Sequence, residues 1–156
     1  MYRWLLVLLV LTLPLLAQKY SGPRPEKPDL PYLVHADNLV ATEPGEAKQE
    51  DRKNELYFVV PGAASTARTP LSSPIFLMIS NDIVPQSLHL YKMDSKGGQR
   101  EVLWSRKKKI VARPRRMNVT KVEDDLYRLE VDELLENGEY SLSPEDSNKV
   151  FCFAVY

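Results

Sequence analysis

Residues 134–156 read L-L-E-N-G-E-Y-S-L-S-P-E-D-S-N-K-V-F-C-F-A-V-Y, and this closing stretch decides the fold. A run of small polar residues and one proline, Ser143 to Asn148, separates two segments rich in aromatic and β-branched side chains. Proline, Asn, Asp and Ser favour turn geometry, while branched and aromatic side chains pack well on a pleated surface, so the pattern predicts an antiparallel hairpin. Its arms are Glu139–Leu142 and Val150–Tyr156. In the second arm Cys152 shares a face with Val150 and Ala154, which makes it a small core residue. It is the only cysteine, so no internal disulfide is possible. A nucleophile and an intermolecular bridge are the alternative readings of it.

The same punctuation recurs upstream. Tyr32–Val40 reads as a first strand, and Leu56–Val60 as a strand ended by Pro61-Gly62. Ile75–Ile79 is apolar at every position, as a central strand buried on both faces would be. Ser87–Met93 alternates, with Leu88 and Leu90 inward and His89 and Tyr91 outward. The turn residues Asp94–Gln99 join it to Arg100–Trp104, a hairpin in which Trp104 is the candidate for a large core side chain. Arg116–Val122 and Leu126–Val131 form a further hairpin about Glu123-Asp124-Asp125, with Tyr127, Leu129 and Val131 inward. Asp132–Asn137 predicts one helical turn closed by Gly138. Turn signals about every 8–12 residues, with no internal repeat, predict an all-β chain: a single Greek-key β-sandwich of about seven to nine strands.

Glu136–Leu142, E-N-G-E-Y-S-L, resembles the acidic-x-Gly-x-Tyr-x-Cys run of immunoglobulin-like β-sandwich modules such as those of exported bacterial proteins. The resemblance implies that Tyr140 makes a structural corner, its hydroxyl bonding back to the backbone upstream. Leu142 stands where antibody-type domains place their second cysteine. An ordinary turn before a strand is the other reading of these residues, and the resemblance carries no activity.

Domain organisation follows from the other end of the chain. Met1-Tyr2-Arg3 is positively charged, Trp4–Leu16 is almost purely apolar, and Ala17 offers a small residue for cleavage, so residues 1–17 read as a secretory signal peptide and the chain as exported, periplasmic or extracellular. The apolar run is short for a bilayer span, so none is expected in the mature chain, though a short uncleaved anchor is the alternative. Residues 18–31 hold four prolines, which predicts an extended leader, a spacer first and a recognition peptide second. Residues 32–156 make the sandwich domain. Within it 43–55 is almost wholly polar with no apolar stripe, which predicts a charged, solvated loop or a marginal helix. With 21 basic and 21 acidic residues, no global electrostatic steering is implied.

Two surfaces are candidates for binding. From 106 to 116, R-K-K-K-I-V-A-R-P-R-R has seven cations and no acid: Arg106, Lys107, Lys108, Lys109, Arg113, Arg115 and Arg116, about a central Ile-Val-Ala that reads as a short strand. Such a cluster suits an anionic envelope polymer, polysaccharide or lipid headgroups. Nucleic acid is disfavoured because no aromatic side chain is interleaved to stack on bases. Neutralisation by the acids at 123–125 and 130–133 is the alternative. The second surface is the loop Ala63–Pro74, where Arg68 could clamp an anion.

Catalytic signatures are absent: no phosphate-binding Gly-rich loop, no paired cysteines and no His-Glu-x-x-His run. His35 and Asp37 share a face but lack the further ligands a metal needs, so no metal and no cofactor is expected. The reading is an exported, non-enzymatic binding or accessory module of the cell envelope, with a protein or an anionic polymer as partner. A structural or assembly subunit, pairing through its leader or an edge strand, is the alternative, and a hydrolase using His35 or His89 is a third.

Overall fold

The structure, a computed structural model, describes residues 19–156; the signal peptide expected at 1–17 lies outside the described residues. In chain order the strands are β1 (Tyr32–His35), β2 (Asn38–Ala41), β3 (Glu43–Glu46), β4 (Lys48–Arg52), β5 (Glu55–Pro61), β6 (Arg68–Thr69), β7 (Ile75–Ile79), β8 (Leu88–Lys96), β9 (Gln99–Arg106), β10 (Lys109–Ile110), β11 (Met117–Lys121), β12 (Leu126–Val131), β13 (Gly138–Pro144) and β14 (Lys149–Val155). They form two sheets, so the all-β class holds. The fourteen strands among the described residues exceed the seven to nine expected, because short polar segments also find strand partners.

The smaller sheet has the order β11-β12-β7-β1-β2. The larger runs β3-β14-β13-β8-β9-β5-β4, with β10 added to β9 and β6 to β14. Pairing is antiparallel except for β6 on β14. The all-apolar β7 is central, as its composition demands, and Phe76, Leu77 and Met78 are buried. Phe76, Leu33 and Leu129 of the smaller sheet meet Leu88, Leu90, Tyr140, Leu142, Phe151 and Phe153 of the larger one in the main core. Phe153 lies edge-on to Phe76 at 5.1 Å and stacks on Tyr140 at 5.6 Å. Each such side chain, fully buried, contributes about 1.5–3 kcal/mol.

The opposite face of the closing hairpin is also covered. Period two turns Val150 and Cys152 away from the main core. There they pack with Ala47, Val60 and Met93, flanked by Phe58 and Val102, in a second core. This is possible because the larger sheet curls back on itself. Its two end strands, β3 and β4, are one extended run interrupted only at Ala47; β3 pairs with β14 and β4 with β5. At the other corner β8 pairs with β13 over Leu88–Met93 and then switches to β9 over Asp94–Lys96. Strands that change partners in this way make the corners of rolled sheets.

Several expectations are corrected here. The charged loop expected at 43–55 is β3, β4 and the start of β5. Edge positions in a rolled sheet reward backbone pairing, and a polar strand with one solvated face needs no apolar stripe. The leader packs against the domain. Pro25, Leu30 and Pro31 are buried, the Asp29 carboxylate accepts the N–H groups of Asn81, Asp82 and Ile83, and Arg24 pairs with Glu123. Burial opposes ionisation of Asp29, but those three backbone donors outweigh it and hold the carboxyl below its ordinary value. The loop 63–74 is likewise tied down: β6 adds to β14, and Ser65, Ala67 and Thr69 are buried. The hairpin of β8 and β9 is paired only near its tip, over Asp94–Lys96 and Gln99–Glu101; farther along, the β8-side edge of β9 pairs instead with β10 at Ser105 and Arg106. Residues 132–137 form no helical turn; Leu135 is instead buried and its N–H bonds to the Ser72 carbonyl.

Tyr140 lies on β13 at the point where the chain enters the closing hairpin. Its hydroxyl donates to the Glu136 carbonyl at 2.8 Å, and the ring is fully buried.

Candidate functional site

The curl of the larger sheet leaves a cleft of about 540 Å³ between the β8–β13–β14 face and the β9–β5–β4 face. Where β8 and β9 part, the segment after β10 spans the gap, Val111 and Ala112 donating to the Trp104 carbonyl and Arg115 to the Leu90 carbonyl, so the cleft is lined by the side chains on the inner face of the roll. Phe58, Val60, Met93, Val102 and Val150 make an apolar interior, and Tyr91 and Trp104 a wall. Trp104 lies edge-on to Phe58 at 5.3 Å and to Tyr91 at 5.7 Å. His89 and Tyr91 thus face this cleft rather than bulk solvent, and Trp104 is half-buried at its side rather than in the main core. The β13–β14 turn, with exposed Glu145, Asp146, Ser147 and Asn148, borders the mouth. His89 Nε2 stands 3.3 Å from Glu145 Oε1 there.

Away from the mouth the roll is closed by a buried arginine. Arg100 is on the face of β9 that carries Val102 and Trp104, and it is only 1% exposed. Its guanidinium donates to the Gly62 and Pro61 carbonyls at 2.9 and 2.8 Å, to Ser65 Oγ at 2.7 Å and to Glu43 Oε1 at 2.7 Å. Glu139, 3.9 Å away, in turn accepts from Ser65 Oγ and N–H. Gly62, at φ +90°, allows the turn that presents these carbonyls. Burial works against the Glu43 carboxylate, but the Arg100 and Thr66 hydrogen bonds outweigh it and hold its carboxyl below the usual range. Cys152, near this cluster, has its thiol pushed up to about 12 by burial, against a smaller opposing effect of Arg100. A thiol so placed is no ready nucleophile.

The seven cations of 106–116 divide into two groups. Arg106 is paired with Glu55 at 2.6 Å, and Arg115 lies 3.7 Å from Glu133. The Arg116 N–H donates to Glu133 and its guanidinium to the Asp132 carbonyl. Lys107, Lys108, Lys109 and Arg113 have no carboxylate within 4.0 Å among the described residues. Lys107 and Lys108 form the tight turn between β9 and β10, at φ +48° and +64°, the geometry of a two-residue hairpin. The Lys107 N–H bonds to the Asn54 carbonyl, so the neighbouring β4–β5 turn brings exposed Lys53 beside them. The expected Ile-Val-Ala strand shrinks to Lys109–Ile110, since Val111 and Ala112 both donate to the Trp104 carbonyl instead. Ile110 and Val111 are left exposed.

The other candidates disperse. Arg68 lies over the Tyr156 ring at 4.5 Å, on β6 and away from the basic hairpin in sequence and sheet order. His35 Nε2 is hydrogen-bonded to Thr69 Oγ1 at 2.9 Å. No group of three or more metal-ligating side chains gathers among the described residues. None of the described helices is long and apolar enough to cross a membrane.

Sequence reasoning missed Arg100 and the cleft. The one visible signal for the arginine was its position on the inward face of the alternation Arg100, Val102, Trp104. The cleft had none, because it arises from the curl of the larger sheet, which brings strands distant in sequence face to face. No family model, no curated protein and no solved structure matches the chain.

Proposed function

We propose that the chain is an exported, non-enzymatic binding or accessory module of the cell envelope that holds an anionic polymer with its basic hairpin. The observation that carries this reading is the division of the cations. Three arginines are committed to carboxylates or a carbonyl of the chain itself, while Lys107, Lys108, Lys109 and Arg113 are not, and Lys53 joins them from the adjacent turn. Clustered cations without countercharge raise one another's free energy and gather a counterion atmosphere, and a polyanion relieves both. The tip has no aromatic ring on which a base could stack, which favours a polysaccharide-like or other non-nucleic partner. Kinship with immunoglobulin-like Greek-key modules belongs to the same reading and is supported by the Tyr140 corner.

The test is binding of residues 18–156 to a panel of anionic polymers at low and moderate salt. Affinity falls steeply with salt, and replacing Lys107, Lys108, Lys109 and Arg113 with Gln lowers the log–log slope by about 3. Replacing Arg115 and Arg116 changes it far less. Absence of salt-sensitive binding to every polymer overturns the proposal.

A second reading, an assembly subunit, rests on the edges of the smaller sheet. The larger sheet joins its own ends, whereas β2 and β11 each have one ladder partner among the described residues. Such edges accept a strand from another chain. Light scattering after size exclusion decides it: an oligomer that Val119→Pro disperses supports assembly, and a monomer at all concentrations ends it.

A further inference from the structure

We propose that the cleft in the rolled sheet binds an uncharged, largely apolar small molecule bearing a hydroxyl: its body lies against Phe58, Met93, Val102 and Trp104, and its hydroxyl meets Ser141 and Ser143. The site is separate from the basic hairpin and stands or falls independently of it.

Shape comes first. The volume, about 540 Å³, lies within the range of about 300–1,000 Å³ usual for small-molecule sites. The β13–β14 turn borders the mouth, and Val60, Met93 and Val150, at the other end of the lining, are buried. Chemistry comes second. The interior is aliphatic and aromatic, which rewards burial of an apolar body at about 25 cal/mol per Å².

Polarity and charge then select the head group. Ser141 is 2% exposed, and its hydroxyl has only the Ser143 hydroxyl as partner, at 3.4 Å. Each hydroxyl offers one donor and two acceptors, so the pair keeps hydrogen-bonding capacity inside the cleft. No Lys or Arg lines it, while Glu145 and Asp146 stand at the mouth. The one imidazole of the lining, His89, already faces Glu145 at 3.3 Å, so an anionic head would pass two carboxylates into a cleft with no Lys or Arg, and a desolvated unpaired charge is costly. The Tyr91 phenol reports the same surroundings: burial first, and the Glu145 charge second, raise its pKa.

The experiment uses residues 18–156 and a neutral phenylnaphthylamine dye that brightens in apolar surroundings. The dye saturates at one per chain, and decanol displaces it. Decanoate at about pH 8, where it is ionised, needs a concentration about tenfold higher or more. Val102→Trp fills the interior and Ser143→Trp obstructs the mouth; each weakens dye binding about tenfold or more. If V102W does not fold, S143W carries the test, because Ser143 is half-exposed and tolerates a larger side chain. No dye uptake by the unaltered chain, displacement by decanoate equal to that by decanol, or full uptake by a folded S143W overturns the proposal.

Discussion

Replacing Arg100 with Met tests what holds the rolled sheet closed. Met keeps much of the side chain's length and apolar bulk but removes the guanidinium. Four hydrogen bonds disappear, to Gly62, Pro61, Ser65 and Glu43, and the two neighbouring carboxylates, Glu43 and Glu139, lose their counterion. Removing one partner of a buried ion pair costs about 3–5 kcal/mol. Here the carboxylates are 24% and 13% exposed, so water recovers part of their solvation and the expected cost is about 3 kcal/mol. With a urea m-value of about 1.5–2 kcal/mol per M, the unfolding midpoint falls by about 1.5–2 M, without a change in slope. Adding Glu43→Gln to Arg100→Met removes one uncompensated charge and recovers about 1 kcal/mol, an interaction that a double-mutant cycle isolates. A midpoint for R100M within about 0.5 M of the unaltered chain, or a Gln that adds to the loss, refutes the claim that this cluster closes the roll.

Two further outcomes follow from the same geometry. Asp29, held below its ordinary value of 3.8, contributes stability that is fully present above that value and is lost as pH falls through the lower folded value. Asp29→Asn should therefore make the decline of urea midpoint between about pH 5 and pH 2.5 shallower, and an unaltered decline refutes the role of the leader's carboxylate. Cys152, buried and with its thiol raised to about 12, should react with a disulfide reagent at about pH 8 only as fast as the chain opens, and rapidly in urea. Immediate reaction in the folded state contradicts the burial.

The amino-acid sequence by itself determined the local structure wherever one residue's chemistry leaves little choice. β7 is apolar throughout and lies in the middle of its sheet, and β13 and β14 are separated by turn residues. In each case the deciding interactions lie within a few positions along the chain, or depend only on which face is apolar. Tertiary structure alone decided what distant segments do for one another. Residues 43–52 are strands because β14 and β5 offer them unpaired backbone, a fact that no local polarity records. The Pro-rich leader is docked because the N–H groups of Asn81–Ile83 point at Asp29. Of the seven cations in one basic run, three are committed because Glu55, Asp132 and Glu133 reach them across the fold, and a fifth uncommitted cation arrives from the turn at Lys53. The cleft is the clearest case. Alternation placed His89, Tyr91, Ser141 and Ser143 together on the non-core faces of their strands, but whether such a face meets water or a second sheet depends on a long-range crossover. The curl at Ala47 and the switch of β8 from β13 to β9 convert that outer face into an interior.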